Sequence, residues 1–130
     1  MNAAQIDEQA TKIAQEFANY YYNLFDNNRP ALASLYRPTS VMTFETGTFK
    51  GDNTILEKLN NLGFQRVVHK VSTSDAHALD PSLNNLLLLI TGQLLVDNES
   101  NPQYFAQTFI LTRDTNGYFI AQDIFRLNYS

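Results

Sequence analysis

The sequence predicts an α+β fold in which three helices lie on the concave side of a strongly bent antiparallel sheet. Apolar residues recur at steps of three and four through the first part of the chain. From Arg66 onward the pattern changes to alternation and β-branched content, broken by turn signals. Between these regions lie one short strand and one further helical stripe. Strands that follow one another through short turns pair antiparallel.

The first helix is read from Ile6, Ala10, Ile13, Phe17, Tyr20, Tyr21, Leu24 and Phe25, which form one long apolar stripe. Asn2 is its cap, with Gln5 three residues on. Asp26-Asn27-Asn28 stops it, because these side chains compete for backbone hydrogen bonds. Pro30 opens a short second helix with Ala31, Leu32, Leu35 and Tyr36 on its apolar face, and Pro38 ends it. Ser40 to Glu45 is a strand, and Thr46-Gly47-Thr48 a turn. Asp52 caps the third helix, whose stripe is Ile55, Leu56, Leu59 and Leu62, with Gly63 as its stop.

The remaining segments are strands. Arg66 to Ala76 alternates, with Val67, His69 and Val71 on one face. Leu86 to Val96 is apolar on both faces, which predicts a central strand covered on both sides; Gly92 marks a bulge or bend within it. Gln103 to Thr112 and Tyr118 to Leu127 form a hairpin around Asn116-Gly117. The apolar second face of the sheet, with Phe105, Phe109 and Ile120 on the strands beside Leu86 to Val96, predicts a homodimer packed sheet on sheet, since a large apolar patch is costly to leave in water.

With 130 residues and no linker or repeat, one domain spanning 1–130 is expected. The net charge of -4 argues against nucleic acid, whose binders concentrate Lys and Arg against phosphates. The absence of cysteine removes disulfides and thiolate metal sites. The two His lack HExxH spacing, so no metal is expected. The amino terminus is polar and acidic, unlike a signal peptide, and the run Leu86 to Ile90 is too short to span a bilayer. Asp123 needs a partner if buried, for which Arg126 or a tyrosine hydroxyl would serve. His69 points inward beside Val67, where a lone histidine is more often structural than catalytic.

The stretch Val41 to His69 contains TFE, then ILEKL, then FQRVVH. With YYNLFDNNR (Tyr21 to Arg29), TGQLLVD (Thr91 to Asp97), NPQYFAQTF (Asn101 to Phe109) and DIFRLNY (Asp123 to Tyr129), it resembles the nuclear transport factor 2 family from about Phe17 to Tyr129. That resemblance implies a cone-like fold with an apolar cavity in each subunit of a two-fold dimer. It implies a carrier rather than an enzyme, without cofactor, that takes the GDP form of the small GTPase Ran into the nucleus. It also implies contacts with phenylalanine-glycine repeats of nucleoporins, and residence in cytoplasm and nucleus with enrichment at the nuclear pore.

By the same resemblance, acids at the cavity mouth meet basic residues of Ran. They are Glu45 of TFE, Asp97 at the end of the GQL strand, and Glu99 beside it, with His69 at the rim. The implied cavity lining is Phe44, Leu62, Val67, Leu94, Val96, Ile124 and Phe125, Phe44 standing where tryptophan is common. The family's nucleoporin contact is an aromatic seven residues before the helical phenylalanine. Here that position is Ala10, with Ile6 and Ile13 beside it, so the ring is missing.

Two other classes compete with a carrier. The same cone-like fold houses isomerases and dehydratases, which need a base and proton donors around one pocket. It also serves as a binding module ahead of RNA-recognition domains, but this sequence has no basic tail or RNP motif.

Overall fold

The computed structural model describes residues 1–97 and 99–128. Asn98 of the acidic loop and Tyr129 of the last motif lie outside the described residues. Helix α1 runs Ala3–Asn27, a 3-10 helix Arg29–Leu35, and helix α2 Asp52–Asn60. The strands are β1 Tyr36–Phe44, β2 Gly47–Lys50, β3 Val67–Ala78, β4 Asn85–Val96, β5 Gln103–Asp114 and β6 Gly117–Asn128. They form one curled, unclosed sheet in the order β2-β1-β6-β5-β4-β3. This is the α+β cone expected from the sequence.

Local signals read correctly where they are strong. Asn2 and Gln5 form a reciprocal capping box at the start of α1. Gly63 adopts φ 85, though α2 has already ended at Asn60. The cap of α2 is Gly51 at φ 88, and Asp52 is the first helical residue instead of the cap.

The sheet departs from the expectation in two ways. The segment after the TFE turn pairs as a sixth strand, β2, against β1. β1 joins β6 in parallel, the one parallel pair in the described sheet. β1 starts at Tyr36, so Pro38 lies inside it instead of simply ending a helix. Its ladder with β6 is irregular between Tyr36 and Val41, where the buried Ser40 hydroxyl donates to the Ile120 carbonyl and accepts from the Arg37 N–H. That gap is where a residue without an N–H is tolerated.

The bulge expected at Gly92 is real, but its extra residue is on the neighbouring strand. Val71 pairs with Gly92 and Thr73 with Thr91, leaving Ser72 unpaired. A Cβ at Gly92 would stand 2.3 Å from the Lys70 carbonyl oxygen, so this close approach demands glycine. The slip reverses the inward parity of β3. Val67, His69 and Val71 share one face before it, Val71 at its exposed margin, and Ser74, Ala76 and Ala78 turn inward after it.

β4 is buried on one face only. Leu86, Leu88, Ile90 and Leu94 enter the core, while Leu89 and Leu95 point outward. Phe105, Phe109 and Ile120 also enter the core, so they do not form the second apolar face. That face instead carries Leu89, Leu95, Val68, Tyr104 and Ile124. Tyr20, placed in the stripe of α1, is exposed as well. No helix among the described residues is long and apolar enough to cross a membrane.

Candidate functional site

A cavity of about 200 Å³ opens between the carboxyl end of α1 and the inner face of the sheet. Phe44, Phe64, Val67, Leu94, Val96 and Phe125 supply apolar walls. Phe25 and Leu127 add to them, while His69, Gln103 and Gln107 are its polar members. Phe44 stacks on Phe125 with centroids 4.7 Å apart, and Phe125 stacks on Phe105. Such offset contacts hold an aromatic wall in place.

Five of the seven residues placed in the lining by sequence are there: Phe44, Val67, Leu94, Val96 and Phe125. Leu62 is half-buried and packs on the core beyond the end of α2, but does not line the cavity. Ile124 is 47% exposed on the opposite face of the sheet. Neighbours in a strand point to opposite sides, so Ile124 and Phe125 cannot share a pocket. Phe25, Phe64, Gln103, Gln107 and Leu127 were missed. Gln107 was within reach of the period-two pattern, since it lies between the inward Phe105 and Phe109.

Glu45 and Asp97 each follow a lining residue at a strand end, and both are left-handed, at φ 56 and φ 54. Non-glycine residues seldom hold this conformation unless neighbours fix them. Both are fixed. The Glu45 backbone donates to Phe125, and its Oε1 accepts from the Leu127 N–H, prolonging the β1–β6 pairing. Asp97 Oδ1 accepts from the Gln65 and Arg66 N–H groups, both at 3.0 Å, and its own N–H donates to Arg66. Each acid therefore has a structural task that sequence alone did not disclose. Glu99 is exposed in the loop beyond.

His69 is not at the rim. Its side chain is 3% exposed and forms part of the wall. The ring stacks on Tyr22 at 4.7 Å and meets Phe25 and Phe105 edge to face. Nδ1 lies 2.6 Å from Asp26 Oδ1, and the His69 backbone N–H donates to Oδ2 at 2.9 Å. Both carboxylate oxygens thus accept from one residue, which assigns a proton to Nδ1; in that tautomer Nε2 is the ring's acceptor.

Behind Gln107 lies a chain of buried polar groups. Tyr22 donates to Gln107 Oε1 at 2.7 Å, and Gln107 Nε2 donates to Asp123 Oδ1 at 2.8 Å. Tyr36 donates to Asp123 Oδ2 at 2.8 Å, and its oxygen lies 3.2 Å from that of Tyr21. A tyrosine hydroxyl is the partner expected for Asp123, whereas Arg126 is exposed. Burial pushes the Asp123 carboxyl up to about 6, against the Gln107 and Tyr36 hydrogen bonds that favour its charge. Burial likewise drives the Tyr21, Tyr22 and Tyr36 hydroxyls well above their usual range. Asp123 does not line the cavity.

The aromatic walls are braced by cations. The Arg29 guanidinium lies 4.8 Å from the Phe25 ring centre and 4.9 Å from that of Phe64. Desolvation lowers the Arg29 pKa. Lys58 Nζ lies 5.8 Å from the centre of Phe44. The described residues contain no group of His, Asp and Glu able to hold a metal.

Of the residues nominated for a nucleoporin contact, Ala10 offers no surface. Ala10 is 0% exposed, and Ile6 and Ile13 pack half-buried against the same core. A small residue in a helical stripe is where α1 approaches its neighbours most closely, so Ala10 is core.

Comparison with known proteins agrees with this architecture. The nuclear transport factor 2 domain profile matches residues 13–127. The chain is 49% identical to nuclear transport factor 2 of Candida glabrata over 118 residues, covering 91% of this chain and 94% of that protein. It is 50% identical to the Emericella nidulans protein of the same name over 119 residues, with the same two coverages. A solved structure of nuclear transport factor 2 from Cryptosporidium parvum matches with a TM-score of 0.85 at 37% identity, over 92% of this chain and 95% of that one. A hexachlorocyclohexane dehydrochlorinase from Novosphingobium barchaimii matches at TM-score 0.77 but 18% identity, over 96% and 91%, which shows a shared fold alone. The chain belongs to the nuclear transport factor 2 family.

Proposed function

We propose that this protein is a nuclear transport carrier which binds the GDP form of Ran and takes it through the nuclear pore. The observation that carries this reading is the cavity with Glu45 and Asp97 at its strand ends. At about 200 Å³ it is smaller than the roughly 300–1,000 Å³ of drug-sized ligand sites. It suits one aromatic side chain of a protein partner. Carboxylates beside an apolar socket give such a partner both an anchor and a charge register. The names of the curated relatives support the transport role.

The proposed carrier acts as a homodimer through the outward apolar face. Leu89, Thr108 and Ile124 stand directly opposite one another across β4, β5 and β6, and Val68 opposite Leu95. Phenylalanine-glycine nucleoporins are its second partner, docking away from the buried Ala10. Cytoplasm and nucleus, with enrichment at the nuclear envelope, is the corresponding location. A capture assay with immobilised protein tests the reading. Retention of Ran-GDP but not Ran-GTP supports it, and equal retention or none refutes it.

A further inference from the structure

We propose that the cavity also binds single-ring phenols, with the hydroxyl donating to His69 Nε2. The volume sets the class of ligand. An apolar cavity of roughly 150 Å³ is enough to hold benzene, so about 200 Å³ holds one substituted ring. The Phe44–Phe125 stack offers that ring an aromatic face.

The histidine sets the substituent. Asp26 takes Nδ1 and the backbone N–H of His69, so the neutral ring has one acceptor left. Among the described residues the only buried side-chain polar atom without a partner is Ser74 Oγ. Nε2 has no hydrogen bond to a described residue and is not among the fully buried unpartnered atoms, so free space adjoins it, and His69 is one of the cavity's lining residues. An acceptor at the wall of an apolar cavity favours a ligand that brings a donor, and a hydroxyl on an aromatic ring does so with least polar surface elsewhere. Asp26 is here a positioning residue, since it fixes the tautomer and touches no ligand.

The test is NMR titration of labelled protein with phenol, and with toluene as the ring of similar size that lacks the donor. Saturable phenol shifts centred on His69, Leu94 and Phe125 are expected, with toluene about three- to tenfold weaker, the range for one net hydrogen bond. The double variant Asp26→Asn, His69→Phe keeps a ring against Tyr22 and Phe105 but removes Nε2. It should bind phenol no better than toluene. No saturable phenol binding, or equal binding of phenol and toluene by the parent, overturns the proposal whether or not the variant folds. A competition arm rests on the carrier reading. Phenol that weakens Ran-GDP binding supports a shared site. Phenol that binds without competing takes the cavity away from Ran and leaves the phenol site standing. Ran-GDP binding by a protein that ignores phenol overturns the phenol site alone.

Discussion

His69 and Asp26 lie 43 positions apart and are joined twice, through Nδ1 and through the His69 backbone N–H. The pair ties the first residues of β3 to the last turn of α1, beside the cavity. Asp26→Ala would leave two donors without a partner next to a ring that is 3% exposed. An unsatisfied buried donor costs about 1–3 kcal/mol. Urea unfolding is expected to show a loss of about 2–4 kcal/mol, and a smaller one for Asp26→Asn, which retains an acceptor. A loss below about 0.5 kcal/mol for Asp26→Ala would mean that water replaces the carboxylate freely.

Asp123 makes stability depend on pH in the direction opposite to most carboxylates. Its folded pKa, about 6, lies above the roughly 3.9 of an unfolded aspartate. Between these values the folded state holds more protons, so this group's contribution falls as pH rises from about 4 to 6 and stays low above. The span amounts to roughly 2–3 kcal/mol. Asp123→Asn keeps polar atoms for Tyr36 and Gln107 without the charge. Its melting temperature should exceed that of the parent at pH 7.5, with the advantage shrinking towards pH 4. A difference that does not change with pH would contradict the assignment.

Gly92→Ala should be among the most damaging small substitutions in the chain. The added methyl would meet the Lys70 carbonyl oxygen at 2.3 Å, and backbone cannot rotate aside as a side chain does. The β3–β4 bulge would have to open, at a cost of about 2–4 kcal/mol. A thermal melt within about 1 °C of the parent would show that the strands separate easily.

Self-association is expected to depend on Leu89 and not on Phe105. Leu89 is 44% exposed on the outer face, so Leu89→Asp should give a folded monomer by light scattering with an unchanged circular dichroism spectrum. Phe105 is buried, and Phe105→Asp should unfold the chain, because an unpaired charge in the core is costly. A dimer that survives Leu89→Asp would move the interface elsewhere.

What the sequence disclosed was local, and what it concealed depended on pairing across the chain. The capping box at Asn2 and Gln5 involves residues three apart and was legible at once. The parallel β1–β6 ladder was not, because β1 carries no mark of which distant strand it joins. The family resemblance puts both Ile124 and Phe125 in the cavity, although strand parity forbids it. The Tyr36–Asp123 hydrogen bond joins residues 87 apart, so the need of Asp123 for a partner was readable but its identity was open. Ala10 was judged by a family register when its own stripe position indicated core.

The central claim is that the cavity and its carboxylates receive the GDP form of Ran. Glu45→Lys would test it poorly, since the Glu45 carboxylate also accepts the Leu127 N–H and its loss would disturb the β1–β6 edge. Glu45→Gln keeps an acceptor for Leu127 and removes only the charge. The decisive measurement is calorimetric titration of the parent and Glu45→Gln with Ran-GDP and Ran-GTP, beside a thermal melt of each. Loss of one member of a desolvated charge pair costs about 2–5 kcal/mol. The expected result is binding of Ran-GDP alone by the parent, at least about tenfold weaker binding by Glu45→Gln, and matching melts. Equal affinity of the two proteins for Ran-GDP, or no preference between nucleotide states, would contradict the claim.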